Sequence, residues 1–315
     1  MVKTGWAPRT RSGYNSAIKR YLTFTTNHGL DPLPVQEKVL LWYIAYLDIQ
    51  GLAPATVRNY LAAIRAWVIS MGLREPVIWS PRVHLACRAM TRTHAPPRQV
   101  SPITFHILSS MIQLLTSSHD HLLLASAITL QFFACLRASE LCSNTHQARA
   151  PARSDISFYK KDSCPIMVYT CHTSKTAVHG FEVHIGCSGA QVCAVCIMYH
   201  YLITHPILPN DPLFRFSSGQ LLSYEIYNAR IKQLVRVLGL DPSNYSSHSV
   251  RAGAATQGAQ AGLDSDTIKR LGRWRSQAYM VYLRPPPESY ALLAPRLAHS
   301  HSPPHITHPT HPNRL

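Results

Sequence analysis

Two arginines stand where an unpartnered charge would be costly. Arg137 follows the apolar run Leu122–Phe133, inside the box Leu136-Arg137-Ala138-Ser139-Glu140-Leu141. A guanidinium leaving such a run must be paired or aimed at an anion. Glu140, three residues on, is within reach on a helical turn and can hold it. Arg251 ends the box His248-Ser249-Val250-Arg251, which follows Ser246 and Ser247, either able to cap a helix. His248 and Arg251 then project from one side of a helix N-terminus, where free N–H groups and the helix dipole favour an anion. A third cluster runs from Gly272, Arg273, Trp274, Arg275 and Ser276 to Tyr279 and Tyr282. Ser276 can cap a short helix that Pro285 ends, leaving the two tyrosines on one face. Lys175 lies between two strand-like runs, where a hairpin turn would expose it. Taken singly, each cluster has a structural explanation: a salt bridge, a cap, core aromatics, a solvated lysine. Taken by order and type, they gather cations around an anion beside a phenol.

The series Arg137, Lys175, His248, Arg251 and Tyr282 resembles the active site of the tyrosine recombinase (phage integrase) family. The resemblance extends to Ala261-Gly262-Leu263 and Ile268-Lys269-Arg270-Leu271-Gly272, and it covers residues 101–284 well and 12–95 more loosely. Around Gly272–Arg284 it extends to recombinases of eukaryotic mobile elements. It implies that Tyr282, nine residues after Arg273, attacks a scissile phosphodiester to give a 3′-phosphotyrosyl bond and a free 5′ hydroxyl. A neutral phenol is a poor nucleophile at pH 7 and needs a proton acceptor or a positive field. By the same resemblance Arg137 and Arg251 clamp the non-bridging oxygens, His248 exchanges a proton, and Lys175 protonates the leaving oxygen. No metal and no nucleotide cofactor is then required. The chain departs from the family twice. Arg273 holds the place usual for a His or Trp, leaving Trp274 to pack and position, and Ala134-Cys135 replaces the glycine often found before the first arginine. Two alternatives stay open: an inactive DNA-binding descendant, and a type IB topoisomerase.

The elements that must position these groups are mostly helical. Residues 12–95 carry two amphipathic patterns, one over Val35, Val39, Leu40, Tyr43, Ile44 and Leu47, the other over Val57, Leu61, Ile64 and Val68. Arg58 and Arg65 share a side of the second helix, and a grip on a DNA backbone is expected of them. Pro96, Pro97 and Pro102 mark a linker. Beyond it the all-round apolar run Leu122–Phe133 predicts a buried helix, and Ile156–Tyr159, Ile166–Thr170 and Phe181–Ile185 predict strands. The fold class expected is therefore mainly α with a small β-sheet. It comprises a helical core-binding domain (1–95), a linker (96–102), a mixed α/β DNA breaking-rejoining domain (103–295) and a His/Pro-rich tail (296–315) that cannot build a core.

Composition agrees with a polyanionic partner. The formal charge is +16, from 31 basic residues (8 Lys, 23 Arg) against 15 acidic ones, and residues 1–100 hold 13 basic and 4 acidic positions. Double-stranded DNA is the expected partner, with a homo-oligomer, a tetramer on DNA, implied by the resemblance. No membrane span and no secretory signal are read. Eight scattered cysteines suit a reduced, intracellular protein, acting in the nucleus if the source is eukaryotic. Cys193 and Cys196 form one C-x-x-C with no second pair at zinc-site spacing, and no metal is assigned to it.

Overall fold

The computed structural model describes residues 8–74, 78–96, 99–143, 150–172 and 179–283. The chain divides into two compact units, Met1–Arg98 and Gln99–Leu315. Lys175, Tyr290 and the tail 296–315 lie outside the described residues.

The first unit contains four helices: α1 (Pro8–Asn27), α2 (Glu37–Ile49), α3 (Pro54–Ser70) and α4 (Pro81–Thr93). Pro54 and Pro81 open their helices where a missing N–H costs nothing, and the Ser80 hydroxyl accepts the Val83 N–H at 3.3 Å. Both apolar faces read from the sequence are buried, meeting Tyr21 and Phe24 of α1 and Val83, Cys87 and Met90 of α4.

The second unit is helical around a three-stranded sheet. Helices α5 (Phe105–Gln113) and α6 (His119–Phe133) precede strands β1 (Ile156–Lys161), β2 (Cys164–Cys171) and β3 (Phe181–Gly186), antiparallel in that order. Helices α7 (Ala194–Thr204), α8 (Tyr224–Val237), α9 (Ser247–Gln260) and α10 (Ser265–Leu271) follow, then a 3-10 turn over Gln277–Tyr282. Every residue from Leu122 to Phe132 is buried, so α6 is the axis of the unit. The first two strands run further than their apolar stretches. Lys161 pairs with Cys164 across a two-residue turn, Asp162 and Ser163, both with positive φ (48° and 65°), the geometry that suits the twist of a hairpin. Ser276 starts no α-helix: the tyrosine segment winds as a 3-10 turn, which still brings Tyr279 and Tyr282 to one side.

Helix α9 is held against the segment that enters this unit. The Ser101 N–H donates to the Asn244 carbonyl at 2.7 Å and the Ile103 N–H to the Ser249 carbonyl at 2.9 Å. Gly253 permits the approach, since a Cβ there would stand 1.7 Å from the Ile103 carbonyl oxygen.

Candidate active site

The end of α6 sets the first arginine. The chain turns through Cys135 in a left-handed conformation (φ 48°), and Arg137 then precedes a single 3-10 turn, Ala138–Glu140. This explains why a glycine is common there, and why its replacement carries about 1–2 kcal/mol of local strain. Glu140 is buried to 1% exposure and is tied from several sides. Its carboxylate accepts from Arg137 Nη1 at 2.7 Å, the Arg137 backbone N–H at 2.9 Å and Arg273 Nη2 at 3.3 Å. Tyr169 and Cys171 of β2 both point polar groups at the Glu140 carbonyl, so the sheet supports the turn from below. Burial alone would raise the Glu140 pKa, but the Arg273 and Arg137 charges and the Arg137 N–H outweigh it and hold it below the ordinary value.

Helix α9 supplies the second arginine and the histidine. The Ser246 hydroxyl accepts the His248 N–H at 3.2 Å while Ser249 Oγ accepts the Ser246 N–H at 3.0 Å, a reciprocal cap that fixes where the helix begins. His248 is exposed on its outer side. Crowding on its inner side and the charges of Arg251 and Arg137 lower its pKa below 6.5, so the ring is neutral at pH 7. Arg251 is buried to 1% exposure. Its Nη1 donates to the Cys135 carbonyl at 2.9 Å, its Nη2 to the Gly272 carbonyl at 2.5 Å, and its Cζ lies 4.4 Å from the centre of the Trp274 ring. Burial, with Arg137 and Arg273 nearby, depresses the Arg251 pKa, though a guanidinium stays charged in the fold.

Arg273 turns inward. It occupies a left-handed position (φ 55°), donates to the Leu271, Ala134 and Cys135 carbonyls at 3.0, 3.2 and 3.2 Å, and lies 4.1 Å over the Phe181 ring. Arg137 and Arg273 therefore share one carboxylate, and Arg251 and Arg273 share one carbonyl. The three guanidiniums form one continuous cluster, with Arg273 as its brace.

Trp274 packs in the middle of these groups. Arg251 covers one part of the indole, and the rings of Tyr282 and Tyr279 lie 5.5 and 6.1 Å away. The two tyrosines differ in access. Tyr279 is buried to 4% exposure, while Tyr282 is half-buried at the border of the core. The Thr256 hydroxyl of α9 donates to the Tyr282 carbonyl at 2.8 Å and anchors the turn to the helix that carries His248 and Arg251.

Sequence reasoning did not find Gly272, Cys135 and Thr256 as partners, because their backbone carbonyls or a small hydroxyl do the holding. Gly272 also leaves room for the indole, since a Cβ there would meet the Trp274 ring within 1.8 Å. In the first unit Arg58 is exposed and donates to Thr91 of α4 at 3.1 Å, whereas Arg65 is partly buried and engaged with its neighbours. Arg88 and Arg92 of α4, exposed one turn apart, add positive charge close to Arg58 and were not singled out from the sequence.

An all-helical first unit and a second unit built on a buried helix and a small antiparallel sheet make the fold of the tyrosine recombinases, and this chain has it. No protein-family model matches the chain. In sequence it is similar to the integrase/recombinase xerD homolog of Selenomonas ruminantium, 27% identical over 287 residues that cover 86% of this chain and 80% of that one. In structure it resembles the Tn1549 transposon integrase in complex with transposon right end DNA, at 14% identity and a TM-score of 0.61, covering 93% of this chain and 95% of that one. A lambda integrase dimer bound to a core site is similar over 89% of this chain and 90% of that one, at 16% identity and a TM-score of 0.57. Among the described residues no helix is long and apolar enough to cross a membrane.

Proposed function

We propose that this protein is a site-specific DNA recombinase or integrase that cuts and rejoins double-stranded DNA through a covalent phosphotyrosine on Tyr282. The observation that carries the reading is the joined cluster of Arg137, Glu140, Arg273 and Arg251 with Tyr282 against the same tryptophan. Arg137 and His248 both reach solvent and meet the scissile phosphate first. Their neighbour Arg251 adds positive charge from behind. Tyr282 attacks phosphorus, its proton passes to an acceptor such as neutral His248, and the 5′ oxygen leaves with a proton from Lys175. The bond energy is kept in the phosphotyrosine, so rejoining needs no cofactor. Arg58 and Arg65 hold backbone phosphates, the protein acts as a tetramer on DNA, and a source in a eukaryotic mobile element would put that action in the nucleus.

Nicked suicide duplexes carrying the flanks of the gene test the reading, because a cut strand that drifts away traps the covalent adduct. Wild-type protein and Tyr279→Phe give an adduct that survives denaturation, and Tyr282→Phe gives none. An adduct lost only in Tyr279→Phe reverses the assignment. The burial of Arg251 favours one second reading, a descendant that binds DNA without cutting it, for which no variant and no substrate yields an adduct.

A further inference from the structure

We propose that Cys187, Cys193 and Cys196 form a zinc site. This goes beyond the recombinase reading and does not depend on it. Cys187 directly follows the last residue of β3, Cys193 caps α7, and Cys196 lies in the first turn of that helix. The chain between them is short and folds back through Gly189 with φ 64°. It brings Cys187 Sγ to 3.6 Å from both Cys193 Sγ and Cys196 Sγ, and all three sulfurs lie within 4.8 Å of one another. Thiolates about 2.3 Å from a tetrahedral zinc stand about 3.8 Å apart, so the spacing already matches the ion. A disulfide would join two of these sulfurs and leave the third beside them without a role. A backbone amide supports the cradle, with the Ser188 N–H directed at Cys193 Sγ from 3.4 Å. Three soft sulfurs select zinc over magnesium or calcium.

Cys193-x-x-Cys196 alone is half a motif, and its complement is hidden in the sequence because it comes six residues upstream, from a strand end. Cys196 is exposed, so the fourth corner opens to solvent. The site is a staple between β3 and α7.

Cobalt(II) distinguishes this site from the histidines of the tail, five of them from His299 onward, whose side chains offer nitrogen and no sulfur. Reduced, metal-free full-length protein is titrated with cobalt and then zinc. The expected result is a thiolate-to-cobalt charge-transfer band with tetrahedral visible bands, saturating at one equivalent and abolished by zinc. Cys196→Ala, an exposed change that leaves the fold intact by circular dichroism, loses the band, as do Cys187→Ala and Cys193→Ala. Zinc raises the melting temperature of the wild type more than that of Cys196→Ala. A titration without the charge-transfer band, or one that Cys196→Ala leaves unchanged, overturns the proposal whatever the outcome of the DNA assays.

Discussion

Glu140 decides whether the arginine cluster holds together. One buried carboxylate carries Arg137 on one oxygen and Arg273 on the other, so Glu140→Gln leaves two guanidiniums with one anion fewer in a low-dielectric setting. The variant should lose about 3–5 kcal/mol of stability, read as a lower urea midpoint with unchanged slope. The Glu140 pKa is lowered in the fold, so its contribution is present above the ordinary carboxylate range and is lost as pH falls through the depressed value. His248 has the same sense of shift with the opposite charge. Its pKa is lowered, so below 6.5 the unfolded chain takes up a proton first and acid costs stability. A proton NMR titration should place its midpoint below 6.5, and Arg137→Met should move it upward by removing one nearby positive charge. A midpoint in Arg137→Met equal to that of the wild type would mean that the two side chains do not face a common space. The pairing of Arg137 with Glu140 was legible three residues apart. The inward turn of Arg273 was not, since it depends on a positive φ at a residue that gives no sign of one.

At the scale of elements, periodicity did most of the predictive work. The apolar faces of α2 and α3, the buried run of α6 and the three strands all follow from local pattern, because each signal repeats within one element. What escaped is what joins elements. The β1–β2 turn hides behind Lys160 and Lys161, polar residues that look like a strand's end, and the tyrosine segment becomes a 3-10 turn because Trp274 and Thr256 draw it onto α9. Close backbone approach is equally silent in sequence. Gly253 in mid-helix looks like a weak point of α9, yet it is where the helix meets Ile103. Gly253→Ala should therefore destabilise the protein by about 1–3 kcal/mol, although alanine is the better helix former. Equal or higher stability on chemical denaturation would show that the contact gives way freely.

For the whole molecule, charge is the property that matters most. The +9 excess in residues 1–100, with Arg58, Arg88 and Arg92 exposed on two adjoining helices, predicts DNA affinity that falls steeply with salt. With 6–10 phosphate contacts the loss is about 10³–10⁵ between 50 and 200 mM salt, and Arg58→Ala with Arg88→Ala should flatten the slope by about two contacts. An affinity constant across that range, in a filter-binding or anisotropy series, would remove the first unit from the interface. The division near Arg98 has a mechanical side as well. Directly beyond it, Ser101 and Ile103 are hydrogen-bonded to Asn244 and to Ser249 of α9, the latter one residue from His248. A tug on the connecting chain is thus delivered to the helix that bears His248 and Arg251, and through Thr256 to the carbonyl of Tyr282. On the proposed reading, any strain that reaches Ser101 and Ile103 is met first by the stiff helix from which the Tyr282 turn hangs.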